Sequence, residues 1–365
     1  MNRRNLLIGS GGAVALTAGA TWFGAARMGS ASEYADATKA MRSALSAEPA
    51  AREFIRYATL AANGHNTQPW RFAIAPGRIT IRPDFTRRTP IVDPDDHHLF
   101  VSLGCAAENL ALATAARGHR GEPMFDSADG GSIGLPLKQA PVQASVLFDA
   151  IPRRQSTRAV YDGHFASTAD LDLLVKAAAV PGVELVLLTD RPRIERLSEL
   201  VRAGNSAQMA DSAFVHELKK WLRFNPRQAL QTGDGLYSVA SGSPPLPDWL
   251  GPAAFDWFST AQSENEAYAR QIRSSAGIAV FVGVREDRSH WVAVGQACQR
   301  FALQATALGL KHAFINQPVE VARLRPDLAA LVGLPGRRPD IVMRFGYGPT
   351  LPWSPRRPVS AVVET

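Results

Sequence analysis

Cysteine is almost missing from this chain: 365 residues contain only Cys105 and Cys298. Both fall in alanine-rich helical patterns where a small thiol packs as a core side chain, so neither a disulfide framework nor a thiolate metal site is expected. The sequence also lacks a G-x-S-x-G nucleophile turn, a phosphate-cradling P-loop and any zinc-spaced Cys/His set. Charge of one sign is scarce as well. The net charge is +7, and setting aside the first 31 residues, with Arg3, Arg4 and Arg27, leaves +4. That is too mild and too dispersed for a nucleic-acid partner. The run Asp93-Pro94-Asp95-Asp96-His97-His98 gathers possible ligands, but aspartates ahead of a helix serve as caps and dipole partners. No second ligand set accompanies them, and no metal is expected.

What is present describes a globular protein. Apolar residues make up 46%, with seven tryptophans and sixteen phenylalanines, enough for one large domain or two related units of roughly 150 residues. The start, Met1-Asn2-Arg3-Arg4-Asn5-Leu6-Leu7, leads into an uncharged Gly/Ala-rich run over 8–26. This has the outline of a twin-arginine export signal, with the twin-arginine translocase as partner and the periplasm or cell envelope as destination. Five glycines between Gly9 and Gly24 make the run a poor membrane span. Cleavage after Ala26 or Ala31 and retention as an anchor both stay open. Gly9-Ser10-Gly11-Gly12 imitates a dinucleotide loop, but no strand precedes it and no acidic residue follows at the right distance. Substrates of this export route travel folded, which raises the expectation of a cofactor inserted before export.

The chain repeats itself once. Residues 103–119 align with 294–310 at a constant offset of 191: Gly104/Gly295, Ala106/Ala297, Ala111/Ala302, Leu112/Leu303, Ala116/Ala307 and Gly118/Gly309 coincide. Alternation predicts strands at 70–75, 78–82, 142–148, 183–188, 277–284 and 341–345. Helical periodicity predicts helices near 51–61, 104–116, 167–178, 193–208, 215–222 and 295–307. The fold class is therefore α+β, antiparallel-rich sheets flanked by helices, in two similar halves at 32–150 and 151–365 after a signal segment at 1–31. Residues 225–263, dense in Gly, Pro and aromatics, form either a lid or a surface embellishment.

Two motifs carry chemistry, one in each half. Asn66-Thr67-Gln68-Pro69-Trp70 resembles the N-x-Q-P-W element of the FMN-dependent nitroreductases. Arg153-Arg154-Gln155-Ser156-Thr157-Arg158 resembles the R-x-S-x-R/K element of the same family. The whole arrangement resembles the fused, two-half members of the Acg type. The resemblance implies a nitroreductase-like fold in which Arg154 and Ser156 hold the FMN phosphate and Arg158 reaches the pyrimidine side of the flavin. Asn63, Asn66 and Gln68 would face the ring, and one of Arg356 and Arg357, more naturally Arg356, would add to the phosphate grip. A phosphate suits guanidinium forks and a hydroxyl donor, while a flavin that has accepted hydride is stabilised by a cation at its N1/O2 edge. The second half has Val180-Pro181-Gly182-Val183 where an amide turn would stand, so the resemblance implies a covalent pseudo-dimer with one flavin site, open to further dimerisation.

Family members commonly carry a Glu-Gly pair near the position of Asn316-Gln317, which here would gate the flavin N5. Two functions follow from the resemblance. One is an oxidoreductase passing hydride from NAD(P)H through FMN to a nitro, quinone or similar small-molecule acceptor. The other is a non-enzymatic FMN-sequestering protein with a lid over the ring.

Overall fold

The computed structural model describes residues 28–364, so nearly all of the export-signal reading lies outside the described residues. The first part opens with helix α1 (Ala31–Ala40), started by Ser30, whose hydroxyl accepts the Glu33 amide. Helix α2 (Ala51–Thr59) is strongly amphipathic and buries Phe54, Ile55, Tyr57 and Ala58. Strands β1 (Trp70–Ala75) and β2 (Arg78–Pro83) pair antiparallel across the Pro76-Gly77 turn, where Gly77 has φ +69°. With β3 (Met124–Asp126) and β4 (Ser132–Pro136) they form a sheet of order β1-β2-β4-β3. On β1 the core side chains are Trp70 and Phe72, both fully buried, while Arg71 faces out.

Helix α3 (His97–Ala115) packs on this sheet, and the second part follows: α4 (Thr168–Ala177), β5 (Val183–Leu188), α5 (Arg191–Ala210), α6 (Ser212–Lys220), α7 (Pro226–Thr232), α8 (Gly251–Phe258), α9 (Ala261–Arg273), β6 (Gly277–Gly283), α10 (Arg288–Ala307), β7 (Lys311–Phe314), α11 (Gln317–Glu320) and β8 (Ile341–Gly346). Its sheet runs β7-β8-β6-β5, all antiparallel. Every residue of β6 is buried because the sheet is covered on both faces. Ala279 and Phe281 enter the core around α3 and α10, while Ile278, Val280 and Val282 enter a second core with α5 and α9. This two-sided burial explains the continuous apolar run in the sequence.

The predicted strand at 142–148 is absent. Ser145 instead caps a short helix, Val146–Ala150, by accepting the Leu147 amide, and that local hydrogen bond outcompetes the apolar alternation. Elements α1, β3, β4, α7, α8, α9, β7 and α11 stand outside the predicted strands and helices.

The two parts meet through α3 and α10. A Cβ on Gly104 would stand 2.0 Å from the Val292 carbonyl oxygen, and a Cβ on Gly295 would stand 2.0 Å from that of Val101. Val101 and Val292 are themselves 191 positions apart, so the close contact is reciprocal. Beside it Arg300 pairs with Glu108 at 3.2 Å and Gln299 Nε2 donates to Asn109 Oδ1 at 2.8 Å. The carboxyl end then crosses back: Phe72 donates to the Val362 carbonyl and Glu364 to the Phe72 carbonyl, each at 2.8 Å, adding a short strand-like stretch to the β1 edge.

Candidate functional site

The turn at 63–68 is strained. His65, Asn66 and Gln68 all have positive φ, at 46°, 53° and 53°, a conformation that costs about 1–3 kcal/mol per non-glycine residue and persists only where surroundings impose it. The surroundings are explicit. Asn63 Oδ1 accepts the Gln68 amide at 2.9 Å. Asn66 donates to the carbonyls of Gly235 and Pro355, both at 3.1 Å, and Gln68 donates to Gly233 at 2.8 Å while accepting the Arg357 amide at 2.9 Å. The amides therefore tie the turn to the 233–235 stretch and to the carboxyl tail.

Arg356 acts in the same bundle. All of its N–H groups meet acceptors: the carbonyls of Thr59, Leu60, Ala61 and Pro355, and Asn66 Oδ1. It thus covers the negative end of α2, and Arg357 reaches the carbonyls of Gln68 and Ala361. Asn66, Gln68, Arg356 and Arg357, expected at the cofactor from sequence, lie behind the turn and do not line the cavity beside it. The reason is local: the carbonyls of a helix end and of a strained turn already take their donors.

That cavity has a volume of about 740 Å³, within the range of small-molecule and cofactor sites. Asn63, Gly64 and His65 form one part of its wall, Arg158 another, and Asn316 and Gln317 a third. Phe224, Leu246, Ala254, Phe255, Trp257 and Phe258 close it from the 225–263 side, so this segment borders the cavity as a lid would. Arg158 makes no side-chain hydrogen bond or ion pair among the described residues; burial lowers its pKa and Tyr268 and Tyr161 offset that. His65 stands close enough to feel its charge. Burial first, and Arg158 second, hold the His65 imidazole down to about 4, so it is neutral at ordinary pH.

Arg154 and Ser156, also expected at the cofactor, do not line this cavity either. Arg154 is nearly fully buried and donates from Nη2 to the Leu60 carbonyl at 3.1 Å, but its Nε and Nη1 have no partner among the described residues. Burial lowers its pKa to about 10, which leaves the guanidinium charged. Arg42 of the α1 end, with Nε also unpartnered, adds a second buried guanidinium whose pKa is lowered by burial and then by Arg154. Buried cations with unmet donors and no carboxylate among their charge partners are costly unless an anion joins them. Ser156 bridges by its backbone to His312.

Several cavity residues escaped sequence reading. His98 lines the wall with its Nε2 3.5 Å from Asn316 Nδ2. Asn316 Oδ1 accepts the Val342 amide at 2.8 Å, so its NH2 faces His98 and fixes the imidazole proton on Nδ1, toward Asp93 at 3.8 Å. Glu320, bonded to Gln208 at 2.6 Å, and Tyr268 also line the cavity. His65 was within reach of sequence reading, immediately before the Asn66–Trp70 motif; the others are scattered over distant elements. Asp93, His97 and His98 offer ligand atoms within 4.8 Å of one another, yet both Asp93 oxygens accept helix amides and His97 Nε2 bonds Asp340.

No protein-family model matches this chain. It is similar to a Mycobacterium tuberculosis (strain ATCC 25618 / H37Rv) protein named "Putative NAD(P)H nitroreductase Rv3131", 29% identical over 330 residues, 86% of this chain and 90% of that protein. A second protein of the same strain, "Putative NAD(P)H nitroreductase acg", is 24% identical over 333 residues, 84% of this chain and 93% of its own length. Among solved structures, a Bacteroides fragilis nitroreductase with bound FMN aligns over 56% of this chain and 90% of its own at 16% identity and a TM-score of 0.35. That overlap is too loose to argue from.

Proposed function

We propose that the chain is an FMN-dependent oxidoreductase of nitroreductase type, using NAD(P)H to reduce a nitro, quinone or similar acceptor. Support comes first from similarity along most of its length to the two mycobacterial proteins named above. The observation that carries the reading is the meeting of the strained 63–68 turn with Arg158 at one cavity, with Arg154, four residues before Arg158, keeping Nε and Nη1 without partners among the described residues.

Those unmet donors suit the group. Arg154 and Ser156 would hold the FMN phosphate, and Arg158 would face the pyrimidine edge, where a fixed cation stabilises negative charge in a dry site. Bound FMN supplies two-electron hydride chemistry between a nicotinamide and the acceptor. The chain's own part is positional. Asn63, Gly64 and His65 present a rigid wall because Asn66, Gln68, Arg356 and Arg357 lock the turn from behind, and the aromatic 225–263 segment limits water. Asn316 and Gln317 narrow the opposite side.

Within the same proposal the chain is two nitroreductase-like halves, 32–150 and 151–365, fused as a pseudo-dimer with one flavin site. The reciprocal approach of Gly104 and Gly295 at the 191-residue offset supports this. Export by the twin-arginine route to the periplasm or envelope belongs to the proposal on sequence grounds alone. The lid-like bordering of the cavity favours a second reading, flavin sequestration without turnover. Anaerobic NADPH added to the yellow protein separates them: bleaching of the visible flavin band supports the reductase, and unchanged colour with FMN retained supports sequestration.

A further inference from the structure

Reducing a quinone to a hydroquinone takes a hydride and a proton, and a cavity that limits water must supply the proton from a side chain. Glu320 is placed to do so. It belongs to α11, whose single turn is pressed against α5: a Cβ on Gly204 would meet Gln317 Cβ at 2.7 Å and the Gln317 carbonyl oxygen at 2.9 Å. One turn further along each helix, Gln208 Nε2 donates to Glu320 Oε2 at 2.6 Å, which leaves Oε1 without a hydrogen bond among the described residues. Gln317 and Glu320, three positions apart on that turn, share a face, and both line the cavity.

That face has capacity to spare. Gln317 is 8% exposed, yet its Oε1 has no partner among the described residues. A quinone has no hydrogen to give it, whereas the O–H of the hydroquinone does. The contact therefore forms only as the acceptor is reduced, which is where binding energy assists turnover. Tyr268 of α9 joins this face to Arg158: it lies close to Gln317 and feels the charges of both Arg158 and Glu320.

Glu320 is also the right kind of acid. Burial raises its carboxyl, the Gln208 hydrogen bond opposes that, and the like charge of Asp93 adds to it; the balance lies at about 7. The other titratable or charged groups around it are Asp93 ahead of α3, His98 on α3, Glu264 and Tyr268 on α9, and Arg158. Burial holds His98 neutral and lifts Tyr268 to about 12, too weak an acid to compete. Asp93 is raised to about 6 by burial, but both its oxygens accept helix amides.

We propose that Glu320 is the proton donor to a quinone acceptor seated against the Gln317–Glu320 face, an inference that rests on the FMN-dependent function proposed above. Reduced flavin gives the hydride to one quinone oxygen. The Glu320 O–H bond breaks as the new O–H bond forms on the other oxygen, and the carboxylate regains its proton from water.

The test uses the full-length, FMN-loaded protein and Glu320→Gln, which keeps the shape and an acceptor for Gln208. Without any turnover, infrared spectra should show a protonated-carboxyl band that fades as pH rises through about 7 and is missing from Glu320→Gln. The flavin is then photoreduced anaerobically and reoxidised either by benzoquinone or by ferricyanide, which takes electrons without a proton. The ratio of the benzoquinone rate to the ferricyanide rate should fall roughly a hundredfold in Glu320→Gln and recover in part in Glu320→Asp. In the unaltered chain that ratio should also fall as pH rises through the carboxyl midpoint, a dependence lost in Glu320→Gln. An unchanged ratio, or the same pH dependence in the variant, would overturn the assignment while leaving the flavin reductase standing. A chain that takes up no FMN, or whose reduced flavin neither acceptor reoxidises, would overturn the reductase itself and this role of Glu320 with it.

Discussion

At the scale of single residues, the deciding feature is which donors are already taken. Arg356 and Arg154 both reach the end of α2, yet Arg356 has every N–H group engaged while Arg154 leaves Nε and Nη1 without partners among the described residues. Arg154→Ala should therefore weaken FMN binding roughly ten- to hundredfold, the loss of a charge-assisted contact of about 1.5–3 kcal/mol. Flavin fluorescence titration reads this, and an unchanged Kd would remove Arg154 from the phosphate site. Glu320 gives a pH test. Burial lifts it from an ordinary 4.5 to about 7, so across that window the folded chain holds a proton that the unfolded chain has released. Stability contributed by this group then falls as pH rises from about 4.5 to 7. Asp93 and Asp340, each raised to about 6 mainly by burial, act in the same direction. Thermal melts across pH should show a smaller decline for Glu320→Gln than for the unaltered chain; parallel curves would contradict the assignment. The sequence reading set Asn63, Asn66 and Gln68 against the ring; in the structure Asn63 lines the cavity, and Asn66 and Gln68 do not. Nothing in N-T-Q-P-W states that Asn66 and Gln68 point toward Gly233, Gly235 and the tail, because those partners are remote in sequence and the positive φ values turn the amides away.

At the scale of elements, α3 and α10 were legible because each has a long apolar period ending in a glycine. The structure adds why the glycines sit at 104 and 295: the helix backbones touch there. Gly104→Ala and Gly295→Ala should each destabilise by roughly 1–3 kcal/mol or more, since the new methyl meets a carbonyl oxygen on a rigid helix. Denaturant unfolding would show similar costs for both if the contact is reciprocal, whereas a tolerated substitution at either site would deny the close approach. The false strand at 142–148 and the unseen α9 have a common cause. Short-range capping by Ser145 and by Thr260, whose hydroxyl accepts the Ser263 amide, set those segments more strongly than their weak apolar periods.

At the scale of the whole molecule, two unequal parts share one large core and one cavity, with the carboxyl tail of the later part completing the edge of the earlier sheet. Only the first part supplies the strained amide turn, and only the second supplies the 154–158 element. The second part has Val180-Pro181-Gly182-Val183 in the corresponding place, with a tight turn at Gly182, φ +79°. On the proposed function, that asymmetry predicts a single flavin per chain. The most direct measurement is the flavin-to-chain ratio of the purified protein after reconstitution with FMN, from absorbance against protein concentration. The account predicts a ratio near one, lost in Arg154→Ala; a ratio near two, or a colourless protein that takes up no FMN, would contradict it.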